Sequence, residues 1–369
     1  AYDNQLQMAA VPCPIWFTDR QDSSANYNKA ETLQGIIDVI APVLLYLFEA
    51  CRINHIIPGH FKEGILTSIP KKGKSPHSLE NHRGITVNTL IGKVMEIIVL
   101  NRFKHIQREG QSDLQFGFTE GITPSMATLV ITEARTEAKE SKKMLLLATL
   151  DARKAFDTVS HPSLLRKIYL TGADVELVAM MDQFYQGMTT KVRWGDKISR
   201  DINILQGTRQ GGVLSPVLYK TYLNDVLQNL EYQGIGATVG DLYIGSPTVA
   251  DDVALLCDTA SSDLQIMMSM VEDYASMERY SFNSSKCEIT SLVKKDDVRQ
   301  VCYIDSDPVC FGNSAQHLGL VHSSQAIQND NIVKTKVSLL YKTVYSLIGT
   351  GLHGLNGVGP FVSYRIYQA

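Results

Sequence analysis

The sequence predicts an α+β chain, and three observations carry that reading. Ile36, Ile37, Ile40, Leu44, Leu47, Phe48 and Cys51 repeat at helical spacing near the start,. Short apolar or alternating runs then mix with helical ones through the middle, and helical spacing returns near the end,. Such mixed order, rather than strict strand–helix alternation, defines the α+β class. With 369 residues, 44% hydrophobic and 20% charged, the chain can enclose a substantial core in two or three units.

Taken in order, residues 1–30 are polar and turn-rich and are expected to be loosely ordered,. The first helix contains Pro42, which predicts a kink. "IPKKGKSPHSLENHRG" reads as a basic loop punctuated by Pro and Gly,. Leu90, Ile91, Val94, Ile97, Ile98 and Phe103 predict a helix over 88–105,. "KMLLLATLD" is a strand ending in an acid, and "HPSLLRKIYL" is a helix with Pro162 at its start, where a missing N–H is harmless,. "KVRWGDKIS" predicts a hairpin turning at Gly195-Asp196, continued by "INILQ",. "SPVLYKTYLNDVLQNL" is a helix opened by Ser215 and Pro216,. "VGDLYIGSPTVADDVALLC" reads as strand, turn, strand,. Leu264, Met267, Met268, Val271 and Tyr274 share one face of a helix over 263–280,. Short strands are expected around 288–293, 301–304 and 317–321, and a last helix over 331–347,.

Composition excludes several classes. Cys13, Cys51, Cys257, Cys287, Cys302 and Cys310 form no CxxC pair and no His-adjacent cluster, which argues against a structural zinc or a disulfide framework and points to a reducing compartment. The most apolar stretch, 35–58, holds Asp38, Glu49 and Arg52, so no membrane span is expected,. The start has no signal-peptide core and no initiator Met, as expected of a piece of a longer protein,. A net charge of −3 argues mildly against nucleic acid, but 61–110 carries nine Lys and Arg against four Glu. A local basic wall of that kind can hold a phosphate backbone.

The chemistry concentrates in "TVADDVALL", residues 248–256. Asp251 and Asp252 sit between apolar flanks, where an unpaired carboxylate is costly. Either both acids lie in a wet turn, or a divalent cation balances them. A third acid, Asp151, closes the apolar run "MLLLATL", and strand-end acids on neighbouring strands can converge on one ion. Oxygen-only ligands suit Mg²⁺. Two such ions can clamp the attacking and leaving oxygens of a phosphoryl transfer.

The surrounding motifs are more specific. "DARKAFDTVSHPSLL", "QGTRQGGVLSPVLYKTYLNDVL", "VADDVALL", "SFNSSKCEI" and "QHLGL" follow one another in order, after "NHRGITVNTLIGKVMEIIVLNRF" and "LQFGFTEGITPSMATLV". This series resembles the fingers and palm motifs of reverse transcriptases, most of all those of non-LTR (LINE-type) retrotransposons, from about residue 34 to the end. The resemblance implies a right-hand polymerase with fingers, palm and thumb and an antiparallel palm sheet backed by helices. It divides the chain into an extension (1–30), fingers with part of the palm (31–143), palm (144–322) and the start of a truncated thumb (323–369).

By the same resemblance the activity is RNA-directed DNA synthesis, with RNA template, DNA primer and dNTPs as partners and no membrane. Asp151, Asp251 and Asp252 would hold two Mg²⁺ ions, with Mn²⁺ a possible substitute, and Lys286 would meet the departing pyrophosphate. Phe156 would stand beneath the incoming sugar and exclude a 2′-hydroxyl. Gln210 and Gly211 would line the nucleotide pocket, while Arg83 and Lys71 would reach the triphosphate. Two positions depart from the pattern: Val249 replaces an aromatic, and Thr119 in "GFTEG" stands where many relatives carry Arg. The implied location is intracellular, in the nucleus or a cytoplasmic ribonucleoprotein. The competing expectations are a silent RNA-binding relic of the fold and a group II intron maturase-type enzyme.

Overall fold

The computed structural model describes residues 37–71, 73, 75, 77, 78, 81–293, 301–309, 311–324 and scattered positions between 333 and 345. The expected loose start over 1–30 lies outside the described residues, as do Lys72 and Lys74 and most of the expected last helix and thumb. In chain order the elements are α1 (Ile37–Asn54), α2 (Gly59–Lys62), β1 (Glu63–Pro70), β2 (His82–Asn88), α3 (Leu90–Glu109), α4 (Pro124–Glu140) and β3 (Leu145–Asp151). There follow α5 (His161–Leu170), α6 (Val175–Tyr185), β4 (Thr189–Trp194), β5 (Lys197–Ile198), β6 (Ile202–Asn203) and α7 (Ser215–Gln233). Then come β7 (Thr238–Val239), β8 (Leu242–Tyr243), β9 (Asp252–Cys257), α8 (Ser261–Met277) and β10 (Glu288–Val293). The last are β11 (Cys302–Ile304), β12 (Asp307–Val309), β13 (Phe311–Gly312), β14 (Ser314–His317) and β15 (Leu320–Ser323).

Two sheets organise these elements. The first has the order β13-β10-β3-β9, antiparallel except where β10 meets β13. Its central strand β3 is buried along Leu145 to Leu150 because helices cover both faces. Leu146, Ala148 and Leu150 face the large core with α5, α6, α7 and α8, whereas Leu145 and Leu147 meet Ile131, Ala134 and Ala138 of α4. Burial on both sides is why this strand reads as an unbroken apolar run instead of alternating.

The second sheet has the order β2-β1-β4-β5, with β6 also on β4. β1 pairs antiparallel with β2 but parallel with β4, more than a hundred residues later. Local patterning cannot announce such a non-local pair, because each hairpin satisfies its own alternation.

Three expectations need correction. The strand expected at 317–321 is a hairpin of β14 and β15, broken because Leu318 and Gly319 both take positive φ. Ser215 is the first helical residue of α7 rather than its cap, a place held by Leu214 without a side-chain bond. The arm before the paired aspartates is not a sheet strand, since residues 248 and 249 make only isolated bridges. Pro42 sits inside α1, and the helix runs on to Asn54.

A buried polar knot ties the second sheet to the helices. Glu96 on α3 is 3% exposed and accepts the backbone N–H groups of Val213 and Leu214 at 2.6 and 3.3 Å. Asn88 donates to Glu96 at 2.8 Å and accepts from Arg209 Nη1 at 3.2 Å. Arg209 also donates to the carbonyls of Glu63 and Thr189 at 3.4 and 3.2 Å. Burial holds the Glu96 carboxyl above its ordinary range, against the pull of those N–H donors and of Arg209. Burial likewise lowers the Arg209 guanidinium to about 10, with Glu96 opposing.

Removing one member of such a knot leaves the other charge buried and uncompensated. Arg209→Met is expected to cost about 3–5 kcal/mol of folding stability, read by chemical denaturation. A loss under about 0.5 kcal/mol, the size of an ordinary surface change, would contradict this account.

Candidate active site

The register of β3 and β9 sets the site, pairing Asp151 directly with Asp252 across the ladder. Val249 and Asp252 exchange backbone hydrogen bonds of 3.1 and 3.0 Å, closing a two-residue turn over Ala250 and Asp251. Ala250 lies at φ 56°, a place glycine usually fills in such hairpins,. A non-glycine residue there costs about 1–2 kcal/mol, so something must hold the turn.

The holder is the segment 114–117. Thr248 donates to Leu114 O, and Phe116 donates to Thr248 O, both at 2.8 Å. Gln115, 1% exposed, accepts with Oε1 from Gly117 N at 2.9 Å and from Ala250 N at 2.8 Å. Gly117 lies so close that a Cβ there would stand 2.3 Å from Ala250 N. Val249, where an aromatic was the family expectation, packs against the small buried cluster of Leu114, Phe116 and Ala127.

The three acids repel one another. Asp251 is exposed at the tip of the turn; the protein behind it still takes solvent from its carboxylate, and that desolvation raises the carboxyl, with Asp252 and Asp151 adding to the rise. Arg83 pulls in the opposite direction. Asp252 is raised by desolvation first, against the Leu318 N–H that donates to its Oδ2 at 3.4 Å, and Asp151 raises it further. Asp151 pairs with Lys286 Nζ at 2.8 Å, the lysine 57% exposed. Among the described residues no three acid, His or Cys side chains are grouped closely enough to grip a metal as they stand. The donor set fits one chemically, since all three are hard oxygen ligands whose mutual repulsion a divalent cation would relieve.

Each remaining candidate is held by its own neighbours, and of them Arg83 is the one whose charge acts on Asp251. Phe156, half-buried, stacks on Tyr219 with centroids 4.5 Å apart and meets Phe118 edge-on at 6.5 Å. Thr208 N donates to Phe156 O at 2.7 Å, and Gly207 N to Val159 O at 2.7 Å. These bonds lash the glycine loop to the stretch after Asp151. Gln210 O accepts from Thr86 N at 2.8 Å. Gly211, at φ 106°, would drive a Cβ to within 2.7 Å of Thr86 O. Lys71 N donates to Asn81 O at 2.7 Å, extending the β1–β2 ladder in which Ile69 pairs with Arg83. Lys71 and Arg83 are therefore diagonal neighbours on one face of that hairpin.

Sequence reasoning passed over four residues here. Gln115 and Arg209 lay inside quoted motifs, but nothing local marks which polar side chain turns inward. His317 is buried 3.8 Å from Asp252, and neither ring nitrogen has a hydrogen-bond partner among the described residues; burial lowers it to about 4. Lys220, 4% exposed, donates to Thr119 Oγ1 at 3.1 Å. Thr119 in turn bonds the carbonyls of Gln115 and Gly117 at 3.1 and 3.2 Å. The position that lacks the family's arginine thus receives a buried amine from α7.

A mixed fold with acids at the ends of two adjacent antiparallel strands fits the right-hand polymerase class. Residues 69–325 match the reverse transcriptase (RNA-dependent DNA polymerase) family, and the chain belongs to it. It is 29% identical over 290 residues to a probable RNA-directed DNA polymerase from transposon X-element of Drosophila melanogaster, covering 75% of this chain and 31% of that protein. It is 28% identical over 250 residues to the Pol polyprotein of a type-1 retrotransposable element R2 from Popillia japonica, covering 66% and 35%. Apo telomerase from Candida tropicalis, truncated from its C-terminal domain, aligns over 72% of this chain and 54% of its own, with TM-score 0.45 and 14% identity. The chain spans about a third of the length of the curated relatives it matches. No helix among the described residues is long and apolar enough to cross a membrane.

Lys220 carries a pH signature. Burial lowers its amine from 10.5 to about 8, and Arg108 adds to the fall. Between about pH 8 and 10.5 the unfolded chain holds a proton the folded one has released, so stability rises with pH through that window. Relative to Lys220→Met, the native chain should gain about 2 kcal/mol between pH 7.5 and 9.5, read by denaturant titration. Parallel stability curves for the two proteins would refute the assignment.

Proposed function

We propose that this chain is the polymerising core of a non-LTR retrotransposon reverse transcriptase, adding dNTPs to a primer 3′-hydroxyl along an RNA template. The observation that carries the reading is the Asp151–Asp252 register with Asp251 at the adjoining turn, in a chain of the reverse transcriptase family. In this reading 31–143 forms the fingers with part of the palm and 144–322 the palm.

Asp151, Asp251 and Asp252 would hold two Mg²⁺ ions, or Mn²⁺ in their place. When bound, these supply charge neutralisation at the attacking and leaving oxygens. Lys286, now on Asp151, would move to the pyrophosphate side as a proton or charge donor. Arg83 and Lys71, side by side on one hairpin face, would grip the triphosphate with charge-assisted hydrogen bonds. Gln210 and Gly211 would offer a polar edge and a bare backbone to the base pair. Phe156, braced by Tyr219 and Phe118, would fill the space a 2′-hydroxyl needs.

Primer extension on an RNA template tests the reading. Metal-dependent synthesis should fall roughly a hundredfold or more in Asp251→Asn, because several kcal/mol of charge stabilisation are lost. A variant as active as the native chain, or a folded native chain that binds RNA and never extends, would sink the proposal. Phe156→Val should raise rNTP use relative to dNTP on the order of tenfold or more. An unchanged ratio removes Phe156 from the sugar gate.

A further inference from the structure

We infer that Gln115 is a positioning residue, whose carboxamide oxygen fixes the turn that presents Asp251 and Asp252. The inference rests on the proposed reading of those acids as a metal site, and goes beyond it in naming what preforms the site.

Ala250 N and Gly117 N both point at Gln115 Oε1, at 2.8 and 2.9 Å. These are backbone donors in a buried place, and each needs an acceptor. Gln115 Nε2, by contrast, is buried with no hydrogen-bond partner. A side chain kept inside at the cost of an unpaired donor is held there by what its acceptor does. The chain repeats the device at Glu96, whose carboxylate accepts two consecutive N–H groups of the loop before α7.

The bonds also have direction. Asp252 N is committed to Val249 O across the turn, and Gly117 leaves no slack against Ala250. With Ala250 N tethered, the turn has no freedom to roll Asp251 away from Asp151 despite their repulsion. Thr119 closes the 115–119 loop on itself, and Lys220 holds Thr119.

Two readouts on the full chain test this, neither needing turnover. Hydrogen exchange should show the Ala250 amide slow in the native chain and fast in Gln115→Met, a side chain of similar size without an oxygen acceptor. Gln115→Glu restores an acceptor oxygen at that place and should return the slow exchange. Mn²⁺ alone, followed by its paramagnetic resonance signal, should bind Gln115→Met roughly tenfold more weakly. A side chain that merely filled space would lower the melting temperature and move neither quantity in the folded variant, and that result overturns the inference. Should Gln115→Met not fold, Gln115→Asn withdraws the amide by one methylene and carries the same expectations. If the native chain shows no Asp251-dependent Mn²⁺ binding, the metal-site reading fails. Exchange at Ala250 then decides Gln115 by itself, faster in the variant supporting it and unchanged overturning it.

Discussion

Asp151 and Asp252 face each other across two hydrogen-bonded strands, with Asp251 one residue away. Asp151 and Asp252 cannot separate without breaking the ladder, and both raise the energy of the charge on Asp251 at the adjoining turn. Strand register is discrete, because a slip of one residue would turn every apolar side chain of β3 and β9 to the wrong face. Leu145 to Leu150 and Val253 to Cys257 are buried along their length, so the core itself forces the carboxylates together. The repulsion is a consequence of packing that the surrounding groups then manage.

Four groups manage it. Segment 114–119 grips the turn through backbone pairing and Gln115, and the Leu318 N–H steadies Asp252. Lys286 neutralises Asp151 from the solvent side. The second sheet adds Arg83, whose charge reaches Asp251. That sheet is in turn anchored by Arg209, Asn88 and Glu96. A residue of the glycine loop therefore fixes the strands that carry the basic hairpin. The loop and the hairpin share one support, although more than a hundred residues separate them.

Much of this was legible in the sequence, for reasons that can be named. β3 and β9 were visible as short apolar runs bounded by acids, and α3 and α8 as periodic faces. Phe156, Gln210, Gly211 and the three acids lay at motif positions that resemble the family. What stayed hidden depends on direction and on distance along the chain. The parallel pairing of β1 with β4 joins residues about 125 apart in number, beyond the reach of any local pattern. Gln115 and Arg209 are polar residues in polar-looking stretches, and only the fold shows that they turn inward. The arm at 248–249 looked like a strand because it is apolar and extended; its partner is 114–116 instead of a second sheet strand. Leu318 gave no turn signal of its own, since leucine seldom takes positive φ.

The ion pair of Lys286 with Asp151 bears on how the proposed site would load. Both partners are partly solvent-exposed, and surface pairs of this kind contribute about 0–1 kcal/mol. A divalent cation brings twice the charge and answers three carboxylates where the ammonium answers one. On the proposed reading the lysine is therefore easily displaced, and it sits on the four-carbon stem that lets it swing toward a neighbouring anion. The carboxyls of Asp251 and Asp252, held above their ordinary range by desolvation first and then by the neighbouring acids, Asp252 and Asp151 for the one and Asp151 for the other, carry the opposite demand. A cation would bring both back down, so metal uptake should release protons when the starting pH lies near those raised values. The floor of the site is thus poised by charges that a hard divalent cation satisfies better than any side chain around it.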